Sequence, residues 1–196
     1  MKFSVLMTVY VNDNPVYLYK ALLSIIKQTL IPTEIVIVKD GIVTDSILKV
    51  LEKVKTKHDN VKIISLKENK GQSEALNQGL LNCSYDLVAR MDSDDISTKK
   101  RFELQIDAFN KDYSIDAVSG TSEDFSSDGK KYGKRELPTG GKKLYQFSKK
   151  RSPLNHGAVM YKKEKVLAVG GYKKFIQVQD YILWADMLAN NCKFYN

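Results

Sequence analysis

The sequence predicts an α/β protein with a mostly parallel central sheet and helices on both of its faces. Three observations carry this. Short apolar runs recur along the chain, and amphipathic helical stretches separate them. Four of those runs stop abruptly in polar or glycine residues: Thr8 to Asn12, Asp40, Asn69 to Gly71, and Asp92 to Asp95. In open parallel sheets ligands bind beyond the carboxyl ends of the strands, so four polar ends in agreement predict one site there.

The first strand is FSVLMTVYV, residues 3–11. With Lys2 ahead of it, this apolar run looks like a secretion signal, but NDNP interrupts it and no small-residue cleavage site follows. Asn14 and Pro15 supply an N-cap and a first-turn proline. Leu18, Leu22, Ile25, Ile26 and Thr29 then recur at helical spacing, and Pro32 marks the exit. EIVIVKDG is a second buried strand ending in Asp40 and Gly41. TDSILKVLEKVKTK is a second helix, with Ile47, Leu48, Leu51 and Val54 on one stripe. VKIISL is a third strand, and NKGQSEALNQGLLNC a turn into a third helix.

The central stretch is LVARMDSDD, residues 87–95. Leu87, Val88, Ala89 and Met91 form the nearly continuous apolar run of a strand buried on both faces. On an extended segment Asp92 and Asp94 point the same way, about 7 Å apart. Two such carboxylates repel unless a cation lies between them. Hard divalent ions take oxygen ligands of this kind and keep positions free for substrate phosphates. The alternative is a polar turn that caps the next helix, a role open to Asp95. Agreement with the other three strand ends favours the metal reading.

In the second half KKRFELQIDAFN is a helix, with Phe102, Gln105, Ile106 and Phe109 toward the core. DAVSGTSEDF reads as one strand and SSDGKKYGK as a hairpin or flexible loop. GAVMYKK is a further strand, followed by a short helix and GGY. VQDYILWADMLANN is a helix with Tyr181, Trp184, Ala185 and Leu188 on its apolar side, and CKFYN is a closing strand. One domain, 1–196, is expected, with a first half to about residue 97 and a mixed α/β half from about residue 98.

The chain of 196 residues is long enough for a full core, and 43% hydrophobic with 28% charged residues is ordinary for a globular protein. No apolar stretch approaches the roughly 18 residues that span a bilayer. Cys83 and Cys192 are too few for a disulfide framework and lack metal-ligand spacing, which fits a reducing cytoplasm. The net charge of +8 is concentrated in basic runs at 129–135 and 141–151. These runs suit a phosphorylated ligand, an anionic membrane surface or simply a solvated surface. Aromatic residues do not interleave with them as base-stacking platforms would, so no nucleic-acid partner is expected.

Taken together, these stretches resemble the family 2 glycosyltransferases, inverting enzymes of the GT-A (Rossmann-like) fold. The nearest in character are bacterial exopolysaccharide glycosyltransferases of the amylovoran type. SVLMTVYVND looks like the family's opening strand, and IVIVKDG resembles its second. NKGQSEALNQG matches N-x-G…A-x-N-x-G, MDSDD matches DxD, and VQDYILW resembles E-D-Y-x-L-W. SPLNHGAVMY is similar to the N-H-P segment, with Gly157 in place of Pro. The resemblance runs from residue 3 to about 190.

It implies transfer of a sugar from a nucleoside-diphosphate donor, a UDP-sugar, to a hydroxyl of a glycan or lipid-linked glycan. Mn²⁺ or Mg²⁺ would be the cofactor, in the cytoplasm or peripheral to the inner face of the membrane. Thr8, Val9 and Tyr10 would border the nucleobase and ribose, and Asp40 would hydrogen-bond the base. Gly71 would permit close backbone approach, and Asn77 would face the same pocket. Asp92 would hold the ribose or a metal-bound water, and Asp94, with Asp92 beside it, would bind the metal on the diphosphate. Asp180 would be the base. His156 would approach the donor sugar or the acceptor, or serve the structure.

Three positions depart from the pattern: Lys39 where Asp is usual, Leu76 where Arg is, and Gln179 where Glu is. Many relatives run on for tens of residues and carry a further metal-ligating His. The chain is thus expected to be either unusually short or lacking a C-terminal segment. Two other readings stand beside this one. A sugar nucleotidyltransferase needs a Gly-rich basic first loop, which TVYVNDNP is not. A non-catalytic nucleotide- or glycan-binding module is kept open by Gln179.

Overall fold

The computed structural model describes residues 1–126, 128–175 and 178–196. In the first half β1 (Phe3–Val9), β2 (Glu34–Lys39), β3 (Val61–Ser65) and β4 (Leu87–Met91) alternate with α1 (Pro15–Ile26), α2 (Asp45–Lys57) and α3 (Gln72–Asn82). The second half adds α4 (Arg101–Lys111), β5 (Ala117–Val118), β6 (Ser122–Phe125), β7 (Lys131–Arg135) and α5 (Gly141–Ser148). It continues with β8 (Met160–Lys162), α6 (Lys163–Ala168), α7 (Gln179–Ala189) and β9 (Phe194–Tyr195). Seven strands form one sheet in the order β3-β2-β1-β4-β8-β5-β9, while β6 and β7 pair as a separate hairpin.

Strands β1 to β4 are all parallel. The chain winds outward from β1 to β3 and then returns to place β4 on the other flank of β1. That reversal opens a crevice at the carboxyl ends of β1 and β4, the usual ligand position in such sheets. β8 then runs antiparallel to both β4 and β5, and β9 is parallel to β5. The mostly parallel α/β sheet read from the sequence is therefore the one observed.

Alternation along the strands divides the core in two. Phe3, Val5, Met7 and Val9 of β1 pack with Ile35 and Ile37 of β2 against α1, α2 and α4. Leu6, Val36, Val38 and Val88 face the other way, against α3, α6 and α7. Asn14 caps α1 as expected, its Oδ1 accepting from the backbone N–H of Val16 at 2.8 Å. On α4 the four residues read as core, Phe102, Gln105, Ile106 and Phe109, are all buried.

Several boundaries differ from the sequence reading. β1 stops at Val9, because Tyr10 and Val11 enter a turn closed by Asp13 N–H bonding the Tyr10 carbonyl at 3.2 Å. α1 ends at Ile26, well before Pro32. DAVSGTSEDF is two strands, since the chain leaves the sheet after Val118 and re-pairs only with Lys131–Arg135. The basic run from 141, given no element in the sequence reading, begins with α5. On α7 the buried residues are Leu183, Trp184 and Met187, and Ala185 is exposed. Asp95 does not cap α4, which starts six residues later.

Candidate active site

The carboxyl ends of the parallel strands surround a cavity of about 450 Å³. Thr8, Val9, Tyr10 and Asp13 reach it from the end of β1, and Asp40 from the end of β2. Asn69, Gly71 and Gln72 come from the turn into α3, and Asp92, Ser93 and Asp94 from the end of β4. Thr8, Val9, Tyr10, Asp40, Gly71, Asp92 and Asp94, which the sequence assigned to a single site, are thus brought together. Val9 is fully buried, with its side chain in the core.

The walls are built by local hydrogen bonding. The buried Asp40 carboxylate accepts from the backbone N–H of Lys70 at 2.7 Å and of Gly71 at 3.0 Å. It therefore ties the end of β2 to the turn that opens α3, and both its oxygens are engaged. Gly41 makes that approach possible: its φ is +80°, and a Cβ there would lie 2.5 Å from the backbone nitrogen of Asn69.

The acidic motif is held from behind by a residue that sequence reading passed over. Arg90 lies on β4 two positions after Val88, hence on the same face, and is 1% exposed. Its guanidinium Nη1 pairs with Asp92 Oδ2. Arg101 of α4 donates to the Arg90 carbonyl at 2.7 Å and fixes the strand end. Among the described residues Asp94 pairs with no cation, and it is exposed.

Carboxylates crowd this corner. Loss of water, and then repulsion from Asp92 and Asp94, push the Asp95 pKa up to about 6. Burial also raises that of Asp13, with Asp94 and Asp92 adding repulsion, although the Tyr10 N–H and Ser93 offset part of it. Gly157 closes the corner: a Cβ on it would come 2.5 Å from Asp95 Oδ2 and 2.7 Å from Asp92 Oδ2.

Asn77, His156 and Asp180 stand outside the cavity wall. Asn77 is committed to the turn before α7, its amide donating to the Tyr172 carbonyl and accepting from the Tyr172 N–H, each at 2.8 Å. His156 bonds the Tyr172 hydroxyl at 3.1 Å and packs edge-on toward Trp184. Burial, reinforced by the charge of Arg90, holds its pKa well below the usual histidine value. Asp180 sits half-buried in the first turn of α7, where exposed N–H groups favour a carboxylate. Ser152 Oγ lies 3.5 Å from its Oδ2. The preceding Gln179 reaches back to the cavity, donating to Gln72 Oε1 at 2.7 Å.

Residues 4–169 match the model of Glycosyl transferase family 2. The UDP-Gal:alpha-D-GlcNAc-diphosphoundecaprenol beta-1,3-galactosyltransferase of Escherichia coli is 41% identical over 97% of this chain and 69% of its own length. The chain belongs to glycosyl transferase family 2. The amylovoran biosynthesis glycosyltransferase AmsE of Erwinia amylovora is 36% identical over 95% of the chain and 70% of its own length. Mannosyltransferase PcManGT from Pyrobaculum calidifontis, solved with GDP-Man and Mn²⁺, covers all of this chain with a TM-score of 0.74 at 16% identity. This chain spans 54% of that structure. The fold of this family 2 glycosyltransferase domain is GT-A.

Among the described residues of the domain, no three His, Cys, Asp or Glu side chains converge to hold an ion by themselves. A divalent cation would therefore take protein oxygens from Asp94, with Asp92 beside it, and complete its shell from a bound diphosphate or water. That donor set is hard, exposed and not fully neutralised, which fits Mg²⁺ or Mn²⁺. Besides Arg90, sequence reading missed Asp13, hidden in the NDNP turn, and Gln72, whose partner lies 107 residues away.

Proposed function

We propose that this family 2 domain transfers a sugar from a UDP-sugar to a hydroxyl of a lipid-linked glycan, with inversion at the anomeric carbon. One observation carries the reading. The four strand ends close on one cavity that has the acidic motif on one side, and the Gln72–Gln179 bond ties its wall to the first turn of α7, the turn that also carries Asp180. The name of the Escherichia coli relative, a transferase from UDP-Gal to a diphosphoundecaprenol-linked GlcNAc, supports the donor and acceptor classes.

In this reading the ends of β1 and β2 and the Gly71 turn seat the nucleoside, and the acidic end of β4 meets the diphosphate. Asp94, with Asp92 beside it, would hold a divalent cation, which would supply electrostatic stabilisation of the leaving diphosphate. Asp180 accepts the proton of the acceptor hydroxyl as the new C–O bond forms. A positioned base of this kind contributes typically about 10²- to 10⁴-fold. Attack from the side opposite the leaving group inverts the anomeric centre. A lipid-linked acceptor brings the domain to a membrane surface, although no helix among the described residues is long and apolar enough to cross one.

The test is a panel of nucleoside-diphosphate sugars, assayed for metal-dependent release of nucleoside diphosphate with an acceptor present. Release from a UDP-sugar, with the opposite anomer in the product, is the expected result. A domain that binds UDP yet turns over none of the donors is instead a binding module.

A further inference from the structure

The net charge of this protein has a single location. Residues 129–151 hold nine of its 31 Lys and Arg residues and one of its 23 Asp and Glu residues. The rest of the chain is balanced at 22 against 22, so the whole excess of +8 lies in this one segment. Its end is anchored beside Asp180. The Tyr181 hydroxyl donates to the Ser148 carbonyl at 2.6 Å, and Ser152 Oγ is 3.5 Å from Asp180 Oδ2.

Between those two anchors lie Lys149, Lys150 and Arg151. They project from a tight turn in which the N–H groups of 150 and 151 both bond the Phe147 carbonyl, at 3.0 and 3.1 Å. Arg135, at the end of β7, joins them by donating to the Ser152 carbonyl at 3.0 Å. Among the described residues none of these four cations pairs with a carboxylate. The same stretch then runs on to Gly157, which touches the Asp92 and Asp95 carboxylates. Along it the order is unpaired cations, then Asp180, then the acidic corner of the donor cavity.

We propose that Arg135, Lys149, Lys150 and Arg151 form a subsite for a phosphate or diphosphate carried by the acceptor, on the far side of Asp180 from the donor. This rests on the reading of Asp180 as the base. The reacting hydroxyl lies at Asp180, and the acceptor's anion lies one step outward, where Lys and Arg can reach its oxygens with charge-assisted hydrogen bonds. Anionic membrane headgroups share this chemistry. The acceptor is the chosen source because the cations are clamped at both ends to the first turn of α7.

The test compares two soluble acceptors with the same sugar and the same short alkyl tail, one joined through a diphosphate and one through a neutral glycosidic oxygen. Transfer and calorimetric binding are both measured, for the wild type and for the triple variant Lys149→Gln, Lys150→Gln, Arg151→Gln. These side chains are exposed, so the variant should fold. The wild type is expected to favour the diphosphate acceptor, and the variant to lose roughly tenfold of that preference, in KM and in binding alike. The preference should also weaken with added salt. An unchanged preference in the variant overturns the subsite, including the case where the variant has lost only its affinity for anionic vesicles. If neither acceptor is glycosylated but binding still discriminates and the variant loses it, the subsite stands and the proposed reaction falls.

Discussion

Arg90 reaches Asp92 from inside the protein, a guanidinium 2% exposed bound to a carboxylate 30% exposed. The two aspartates of the motif therefore do different work: Asp92 neutralises a buried charge, and Asp94 faces the cavity unpaired.

Their substitutions should separate accordingly. Asp92→Ala strands a buried cation and is expected to cost about 3 kcal/mol, the low end for a broken buried pair because Asp92 is partly solvated. Asp94→Asn should leave the ligand-free melting temperature equal or higher, since repulsion on Asp95 and Asp13 is relieved. Urea melts of both variants without ligand check the first contrast. With UDP and Mn²⁺ at a hundredfold excess over Kd the wild type should gain about 2.7 kcal/mol. Asp94→Asn should lose most of that gain, and a full gain would remove Asp94 from the metal site.

Asp180→Asn keeps the shape of the side chain but cannot take a proton. Transfer to acceptor should fall by roughly 10²-fold or more while UDP binding stays near wild type. Gln179→Glu should be tolerated and raise activity, because a second carboxylate makes Asp180 more basic. Loss of UDP binding in Asp180→Asn, with normal transfer by the folded fraction, would reassign Asp180 to a structural role at the start of α7.

The half-buried His156, held between Tyr172 and Trp184, gives a pH signature. Its folded pKa lies below the ordinary value near 6.5, so the unfolded chain takes up a proton there that the native state refuses. Its contribution to stability is complete above about pH 6.5 and is lost as pH falls from there toward the folded value. His156→Gln should flatten the slope of stability with pH in that window, read from denaturant melts between pH 5 and 7. An unaltered slope would mean that another group sets it, and Asp95, whose pKa is pushed up to about 6, is the first to test.

Gly79 sets how closely α3 lies on the sheet. A Cβ at this position would come 2.3 Å from Leu6 Cδ1 and 2.7 Å from Val38 Cγ2, on the strands that carry Thr8 and Asp40. Gly79→Ala should therefore cost about 1–3 kcal/mol by overpacking, despite the better helix propensity of alanine. It should also weaken UDP binding, because α3 carries Gln72 on the cavity wall. Thermal melts with and without UDP test both effects.

The parallel half was legible because each strand and helix there is long enough to show its period, and because each strand stops in polar residues. Arg90 was not, since a charge inside an apolar run reads as an interruption. Counting back by two from Asp92 would have placed it on the same face and raised the question of its partner. Asn77 and His156 matched motifs, yet both are spent on Tyr172, a contact between residues up to 95 apart that no local pattern encodes. In α5 the lone buried Leu144 leaves too little of an apolar stripe to distinguish a helix from a charged loop. The break after Val118 was hidden because the chain soon re-enters a strand, Ser122–Phe125, only in a different sheet.

The reversal of β8 has a consequence for how such a protein diversifies. β5 and β8 are antiparallel neighbours, so the excursion between them leaves and re-enters at the same end of the two strands, near the end of β4. The segment from Ser119 to Val159 leaves and returns at adjacent points but is stitched down between them, by Gly140 pairing with Tyr195, Ser152 beside Asp180 and Gly157 against the Asp92 and Asp95 carboxylates. The β6–β7 hairpin within it can change length without shifting the register of the seven-stranded sheet, whereas its last residues, which shape the acidic corner, cannot. Variation confined to that hairpin reshapes the surface beyond the cavity and leaves the residues that line it untouched.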